Sequence, residues 1–139
     1  MVFLGSIYNM KILLLSHGLF AQELLNSCRM IDPEIENVCA LCLTEGGIES
    51  FSEKLNLYLK KNESESILFF CDLKHGSPYN QLLINMIEIK VNEYKIITGM
   101  NLPMVLQAII KMHGSTDFDD IVKISSEAGV EGITVYEPK

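Results

Sequence analysis

Short apolar runs alternate with segments of helical periodicity along the chain, and this alternation is the feature that most limits its possible folds. Runs typical of buried strands cover 11–15, 38–43, 67–71 and 94–98. Apolar side chains at helical spacing follow over 20–30, 48–58, 79–87, 104–112 and 118–128. Because alternating strands and helices pair in parallel through crossover connections, the sequence predicts an α/β fold with a mostly parallel four-stranded sheet and helices on both faces.

The order and ends of these elements carry further expectations. Ile67 to Cys71 is apolar without alternation, which is typical of a central strand covered on both faces. The pattern Thr116-x-x-Asp119 resembles a capping box before the last helix, which we expect Gly129 to close. The segment Gly132 to Tyr136 has strand propensity but no local partner.

Length and composition indicate one globular domain. A chain of 139 residues with 48% hydrophobic residues suits a single core, and it contains no repeat or linker-like stretch. A strand-first domain would begin naturally at Met10, so we expect residues 1–9 to be an N-terminal extension and residues 10–139 to form the domain.

The charge of the chain narrows the classes of partner. A formal net charge of −7 without a cluster of lysine or arginine argues against nucleic acid as a partner. A basic or partly apolar protein is a more suitable partner for such a surface. No apolar run has the form of a secretory signal or the length of a membrane span. The default compartment is therefore the cytoplasm.

The cysteines suggest packing rather than chemistry. Most of the four cysteines lie within apolar runs, as reduced buried cysteines do: Cys28, Cys39, Cys42 and Cys71. Cys39 and Cys42 form a C-x-x-C pattern, but residues three apart on a strand point to opposite faces. No second ligand pair at zinc spacing accompanies them, so we expect neither a metal nor a redox site.

Three polar loops follow predicted strands, over residues 16–18, 72–78 and 99–103. In a parallel α/β sheet, ligands bind outside the carboxyl ends of the strands, where the strand order reverses. We therefore expect these loops to converge at one edge of the sheet and to form the functional site there.

The residue types in the first two loops point to phosphoryl chemistry. His17, followed by Gly18 at a strand-to-helix junction, would reach solvent beside helix N–H groups that favour an anion. Asp72 could accept the His17 N–H and so leave the other ring nitrogen free to attack. Gly76 and Ser77 lie at a helix start, where a hydroxyl and backbone N–H can bind phosphoryl oxygens.

A plainer interpretation is that His17 and Ser77 cap helices and that Asp72 merely ends a strand. It explains each residue separately, but not why all three should meet at one edge of the sheet.

At these residues the chain resembles the mannose family of phosphotransferase-system IIA domains, which relay phosphate from the phosphocarrier HPr to a IIB domain. The resemblance extends from Met10 nearly to the end. It rests on three ordered blocks, at residues 12–18, at 69–73 with 76–80, and at 99–104.

The resemblance implies that His17 is phosphorylated, that Asp72 is its hydrogen-bonding partner and that Ser77 belongs to the phosphate-binding turn. It implies no metal or organic cofactor. The partners would be HPr and IIB, with membrane IIC and IID components contacted indirectly through a transporter complex. It also implies a homodimer in which the C-terminal strand is exchanged between copies.

One departure from the family pattern affects the middle block, where His75 replaces the first of two glycines. His75 must then tolerate a positive φ if that glycine had one, and it is a rival phosphate acceptor. Two other functions stay open, namely the phosphocarrier subunit of a dihydroxyacetone kinase and a regulatory binding module whose His17 is never modified.

Overall fold

The computed structural model describes residues 10–115 and 117–139, which form four strands and five helices. The strands are β1 (Met10–His17), β2 (Val38–Leu43), β3 (Ser66–Cys71) and β4 (Glu93–Thr98). The helices are α1 (Phe20–Ile31), α2 (Gly47–Lys61), α3 (Ser77–Glu88), α4 (Leu102–Gly114) and α5 (Phe118–Glu131). None of these helices has the length and apolar character needed to cross a membrane.

The sheet is fully parallel, with the strand order β2-β1-β3-β4. The chain moves outward from β1 to β2 and then crosses to β3 on the other side of β1. The strand order therefore reverses between β1 and β3, whose carboxyl ends flank the switch point of the sheet. This confirms the predicted fold class and the central position of β3.

Two apolar layers cover the sheet, because alternate residues of each strand point to opposite faces. Ile12 and Leu14 of β1 pack with Phe70 of β3 against α1, α4 and α5. Leu13 and Leu15 of β1 face α2 and α3 instead. Since both faces of β1 and β3 are buried, their continuous apolar runs follow from the architecture.

Two helices begin earlier than the sequence analysis placed them. The predicted starts were Tyr79 and Met104, but α3 starts at Ser77 and α4 at Leu102. In both helices a proline lies in the first turn. Proline is accepted there because the N–H that it lacks has no partner within the helix.

The last helix also differs from its prediction at both ends. Thr116 lies outside the described residues, and the Asp117 side chain caps α5 by accepting the Asp120 N–H at 3.2 Å. Gly129 does not close the helix, which continues to Glu131. A Cβ on Gly129 would lie 3.0 Å from the Cβ of Met104, so this glycine serves the close packing of α5 on α4.

The C-terminal segment forms no strand within the single chain. Residues 133–139 follow α5 without regular structure, and the side chains of Ile133 and Val135 are 74% and 81% exposed. The predicted exchange of this segment between two copies stays a prediction.

The cysteines occupy two kinds of environment. Cys28 and Cys71 are buried, whereas Cys39 is exposed, so the expectation of general burial is wrong for Cys39. Cys42 packs in the layer that contains α1, while its neighbours Leu41 and Leu43 pack in the opposite layer. Cys39 and Cys42 therefore point to opposite faces of β2, as predicted.

Thiol labelling should separate these environments. Burial raises the pKa of Cys28 to about 11, and burial together with the adjacent Asp72 charge raises the pKa of Cys71 to about 12. A raised pKa keeps a thiol protonated and unreactive, so at about pH 8 iodoacetamide should label Cys39 and spare Cys28 and Cys71. Peptide mass mapping checks this, with urea-unfolded protein as the control. Native labelling of Cys71 as fast as Cys39 would contradict the packing.

Candidate functional site

The ends of the two central strands bring His17 and Asp72 together. In the parallel register Leu15 of β1 is paired with Cys71 of β3, so the strands end side by side. His17 is the last residue of β1, and Asp72 directly follows β3. The Asp72 N–H donates to the Leu15 carbonyl at 3.1 Å, which extends the strand pairing up to the site.

One carboxylate oxygen of Asp72 holds both the backbone and the ring of His17. Asp72 Oδ2 accepts the His17 backbone N–H at 2.9 Å and lies 2.9 Å from His17 Nδ1. The other oxygen, Oδ1, accepts the Leu73 N–H at 2.9 Å. Because an ionised carboxylate can only accept, Nδ1 carries the proton of a neutral His17 ring. Nε2 is then left with a free lone pair.

The two side chains differ in exposure in a way that suits chemistry at Nε2. The His17 side chain is 45% exposed, whereas that of Asp72 is only 14% exposed. The carboxylate is thus shielded behind the ring that it orients, and the ring presents its free edge to solvent. Such an imidazole can act as a nucleophile without first losing a proton from Nε2.

The N-terminus of α3 lies beside the free edge of the His17 ring. A Cβ built on Gly76 would lie 2.8 Å from His17 Cε1 and 3.4 Å from Nε2, so only glycine leaves the ring its present room. Gly76 is the N-cap of α3, and Ser77 is its first residue. Pro78 has no N–H and the Asn80 N–H bonds the Gly76 carbonyl, which leaves the N–H groups of Ser77 and Tyr79 for an anion.

Gly18 contributes through its backbone conformation. Its φ is +57°, which favours glycine, and its N–H donates to the Leu43 carbonyl at 2.7 Å. This turn directs the chain from β1 into α1. A Cβ on Gly18 would meet no atom of the described residues within 4 Å, so glycine is favoured here by its backbone conformation.

Ser16 is a site residue that the sequence reasoning did not single out. It is completely buried, and its Oγ accepts the Ala21 N–H at 2.7 Å. Ser16 thereby satisfies one of the first-turn N–H groups of α1, which the sequence analysis had left available to an anion. The only sequence signal was a serine five residues before the first buried position of the helix.

The third predicted loop does not supply polar groups to His17. Asn101 instead caps α4 by accepting the Met104 N–H at 3.1 Å, and its amide donates to the Gly129 carbonyl at 3.1 Å. The loop and the start of α1 border a mostly apolar groove of about 400 Å³, lined by Phe20, Glu23, Leu24, Ser27, Met100, Asn101 and Leu102. The structure thus joins the first two loops, while the third forms a neighbouring groove.

The φ of His75 is positive, at +67°, so this histidine does adopt a conformation that is uncommon for residues other than glycine. Its ring lies edge-on to Tyr79, with ring centroids 5.6 Å apart. It is exposed on the loop between β3 and α3.

Fold and site together define a small parallel α/β protein with a carboxylate-oriented histidine at the switch point of its sheet. Among known families, the one described as "PTS system fructose IIA component" matches residues 11–125. The chain therefore belongs to this family of phosphotransferase-system IIA components.

Individual relatives agree with this assignment. The chain is 31% identical over 126 residues to the mannose-specific EIIAB component of Escherichia coli, a match that covers 89% of the chain and 38% of that protein. It thus spans less than half the length of these first curated relatives. It is 27% identical over 122 residues to the sorbose-specific EIIA component of Lacticaseibacillus casei, covering 85% of the chain and 87% of that protein.

A solved structure supports the same fold. The mannose/sorbose-specific IIA subunit from Enterococcus faecalis superimposes with a TM-score of 0.81 at 26% identity. The superposition covers 94% of this chain and 97% of that subunit.

The space beside the His17 ring can be tested with Gly76→Ala. The φ of Gly76 is −76°, which alanine adopts freely, so the effect of the added methyl group is steric. We expect it to displace the ring and to shift the His17 Cε1–H resonance in the NMR spectrum. The free energy of unfolding should fall by about 1 to 3 kcal/mol, as is usual when a methyl group overpacks a filled site.

A matched control is Gly114→Ala, since a Cβ there would meet no atom of the described residues within 4 Å. That variant should leave the His17 resonance unchanged. An unchanged His17 resonance in Gly76→Ala would contradict the packing described for the site.

Proposed function

We propose that this chain is a phosphohistidine carrier of a sugar phosphotransferase system. His17 accepts a phosphoryl group from phospho-HPr and passes it to a IIB domain, for sugar uptake by a membrane complex with IIC and IID components. The observation that carries the proposal is the bond from Asp72 Oδ2 to His17 Nδ1 at 2.9 Å, which leaves Nε2 as the exposed nucleophile. Membership in the IIA family supports the choice of partners.

In the proposed reaction the Nε2 lone pair forms a bond to phosphorus as the bond from phosphorus to the donor nitrogen of HPr breaks. The imidazolium-like charge that develops on His17 is stabilised by Asp72, which keeps its hydrogen bond to Nδ1 without taking the proton. The N–H groups of Ser77 and Tyr79 and the Ser77 hydroxyl bind the phosphoryl oxygens. Transfer to IIB is the same in-line exchange in the opposite direction.

The surface around His17 suits a protein partner. Leu19, Phe20 and Leu73 are 60%, 47% and 58% exposed, and all three belong to the loops or helix starts at this edge. Apolar side chains around a reactive group are typical of a surface that docks against another protein. The relatives named for mannose, sorbose and fructose systems favour a sugar transporter over the dihydroxyacetone kinase alternative.

Phosphosite mapping tests this function directly. Incubation with enzyme I, HPr and phosphoenolpyruvate should add one acid-labile phosphate, detected as a mass increase of the intact protein. His17→Ala should abolish it, because among the described residues His17 alone has both the Asp72 contact and the start of α3 beside it. His75→Ala and His113→Ala serve as controls and should retain it. Phosphate uptake by His17→Ala, or none by the wild type from a competent donor, would refute the proposal.

We also propose a homodimer in which residues 132–136 of each copy extend the sheet of the other beside β4. In the described residues β4 is an edge strand, and Ile133, Val135 and Tyr136 of the tail are exposed without a sheet to join. Exposed edges and exposed β-branched tails both favour pairing. This arrangement would give each a partner.

Removing the residues after Gly132 should therefore yield a monomer. In sedimentation equilibrium the full chain is expected at twice its mass of 15.7 kDa, and the shortened chain at the mass of one copy. A control chain with Val135 and Tyr136 both changed to Ser keeps the length but loses the apolar contacts, so it should dissociate at lower dilution than the wild type. A dimer that survives the truncation would contradict strand exchange.

A further inference from the structure

The loop between β3 and α3 contains a conformation that its side chain does not favour. The Gly76 N–H donates to the Leu73 carbonyl at 3.3 Å, which closes a turn with His75 at its third position. The φ of His75 is +67°, in the left-handed region that glycine adopts readily and other L-residues rarely do. Some other contact must therefore hold this turn in place.

Two contacts from the first turn of α3 hold it. The Asn80 side-chain amide donates to the His75 carbonyl at 3.1 Å, and the Asn80 backbone N–H donates to the Gly76 carbonyl at 2.9 Å. Asn80 thus binds the carbonyl groups of two consecutive peptide units, the one that joins His75 to Gly76 and the one that joins Gly76 to Ser77. The Tyr79 ring adds an edge-on contact to the His75 ring at 5.6 Å, with the two planes at 88°.

This turn sets the distance between His17 and the start of α3. Gly76 lies against Cε1 of His17, so a movement of the peptide between His75 and Gly76 changes the position of Gly76 beside the ring. The Ser77 N–H, which is the first anion-binding group, follows in the chain. Transfer chemistry is sensitive to such movement, since a misplacement of about 1 Å can lower a rate roughly 100-fold.

We propose that Asn80 is a positioning residue, which holds His75 in its left-handed conformation and thereby keeps the start of α3 aligned with Nε2 of His17. This role rests on the proposed phosphoryl transfer. Asn80 does not touch His17 or the phosphoryl group in this scheme. Histidine at position 75 increases the demand on this amide, because glycine there would adopt the same turn without strain.

A double-mutant cycle tests the proposal with Asn80→Ala, His75→Gly and the combination of both. Asn80 is exposed and helical, and alanine is a good helix former, so the single variant should fold. The matched control is Asn26→Ala in α1, where the exposed asparagine bonds Gln22 and Glu23 of its own helix. The first readout is the single-turnover rate of phosphoryl uptake at saturating phospho-HPr.

We expect Asn80→Ala to lower this rate roughly 5- to 30-fold, the range that corresponds to one or two kcal/mol. The donor concentration for half-saturation should stay the same, because the docking surface is unaltered. In the His75→Gly background the same substitution should lower the rate less than about 3-fold, since the turn no longer needs the amide. An equal loss in both backgrounds, or an unchanged rate in Asn80→Ala, would overturn the role of Asn80.

The second readout does not depend on phosphorylation. The His17 Cε1–H resonance of the unphosphorylated protein should shift in Asn80→Ala, return toward its original position in the double variant and stay unchanged in Asn26→Ala. If the wild type takes up no phosphate but this pattern of resonances is seen, the proposed function is wrong, while the positioning role of Asn80 is supported. If Asn80→Ala does not shift the His17 Cε1–H resonance, the positioning role of Asn80 is wrong, whatever the transfer rates are.

Discussion

The parallel pairing of β1 with β3 is the constraint on which the rest of the structure depends. Its register places Leu15 beside Cys71, so His17 and Asp72 extend from neighbouring strand ends. The pairing is fixed because both strands are buried on both faces, and a shift of one residue would turn every apolar side chain to the wrong layer. The 2.9 Å contact between the Asp72 carboxylate and the His17 ring is thus a consequence of core packing.

The site combines residues at the ends of sheet strands with residues that follow a loop. His17 and Asp72 are held by the sheet, and Ser16 ties the end of β1 to α1 through its buried hydroxyl. The start of α3 instead depends on a turn of four residues, Leu73 to Gly76, which Asn80 and Tyr79 stabilise from the helix. His17 therefore lies at the end of a strand of the sheet, whereas the start of α3 follows a loop. His75, with its positive φ, lies in this loop.

Much of this arrangement could be predicted from the residues. Continuous apolar runs identified the strands, and the polar residues directly after them identified the edge of the site. The helix starts at Ser77 and Leu102 were placed too late, because the sequence analysis assigned Pro78 and Pro103 to the preceding loops, although proline is favoured in the first turn of a helix. Gly129 was interpreted as a helix end, although its lack of a side chain serves packing against Met104.

The sequence by itself determined the strand and helix order, the parallel sheet and the candidate pair of His17 and Asp72, since these follow from local periodicity and from the fact that parallel strands share one carboxyl edge. Only the tertiary structure decided that Gly76 lies against the His17 ring, that the Ser16 hydroxyl accepts an N–H of α1 and that the Asn101 amide bonds α5 rather than the site. These contacts join residues that are distant in the chain or depend on side-chain direction. Local periodicity contains no information about either.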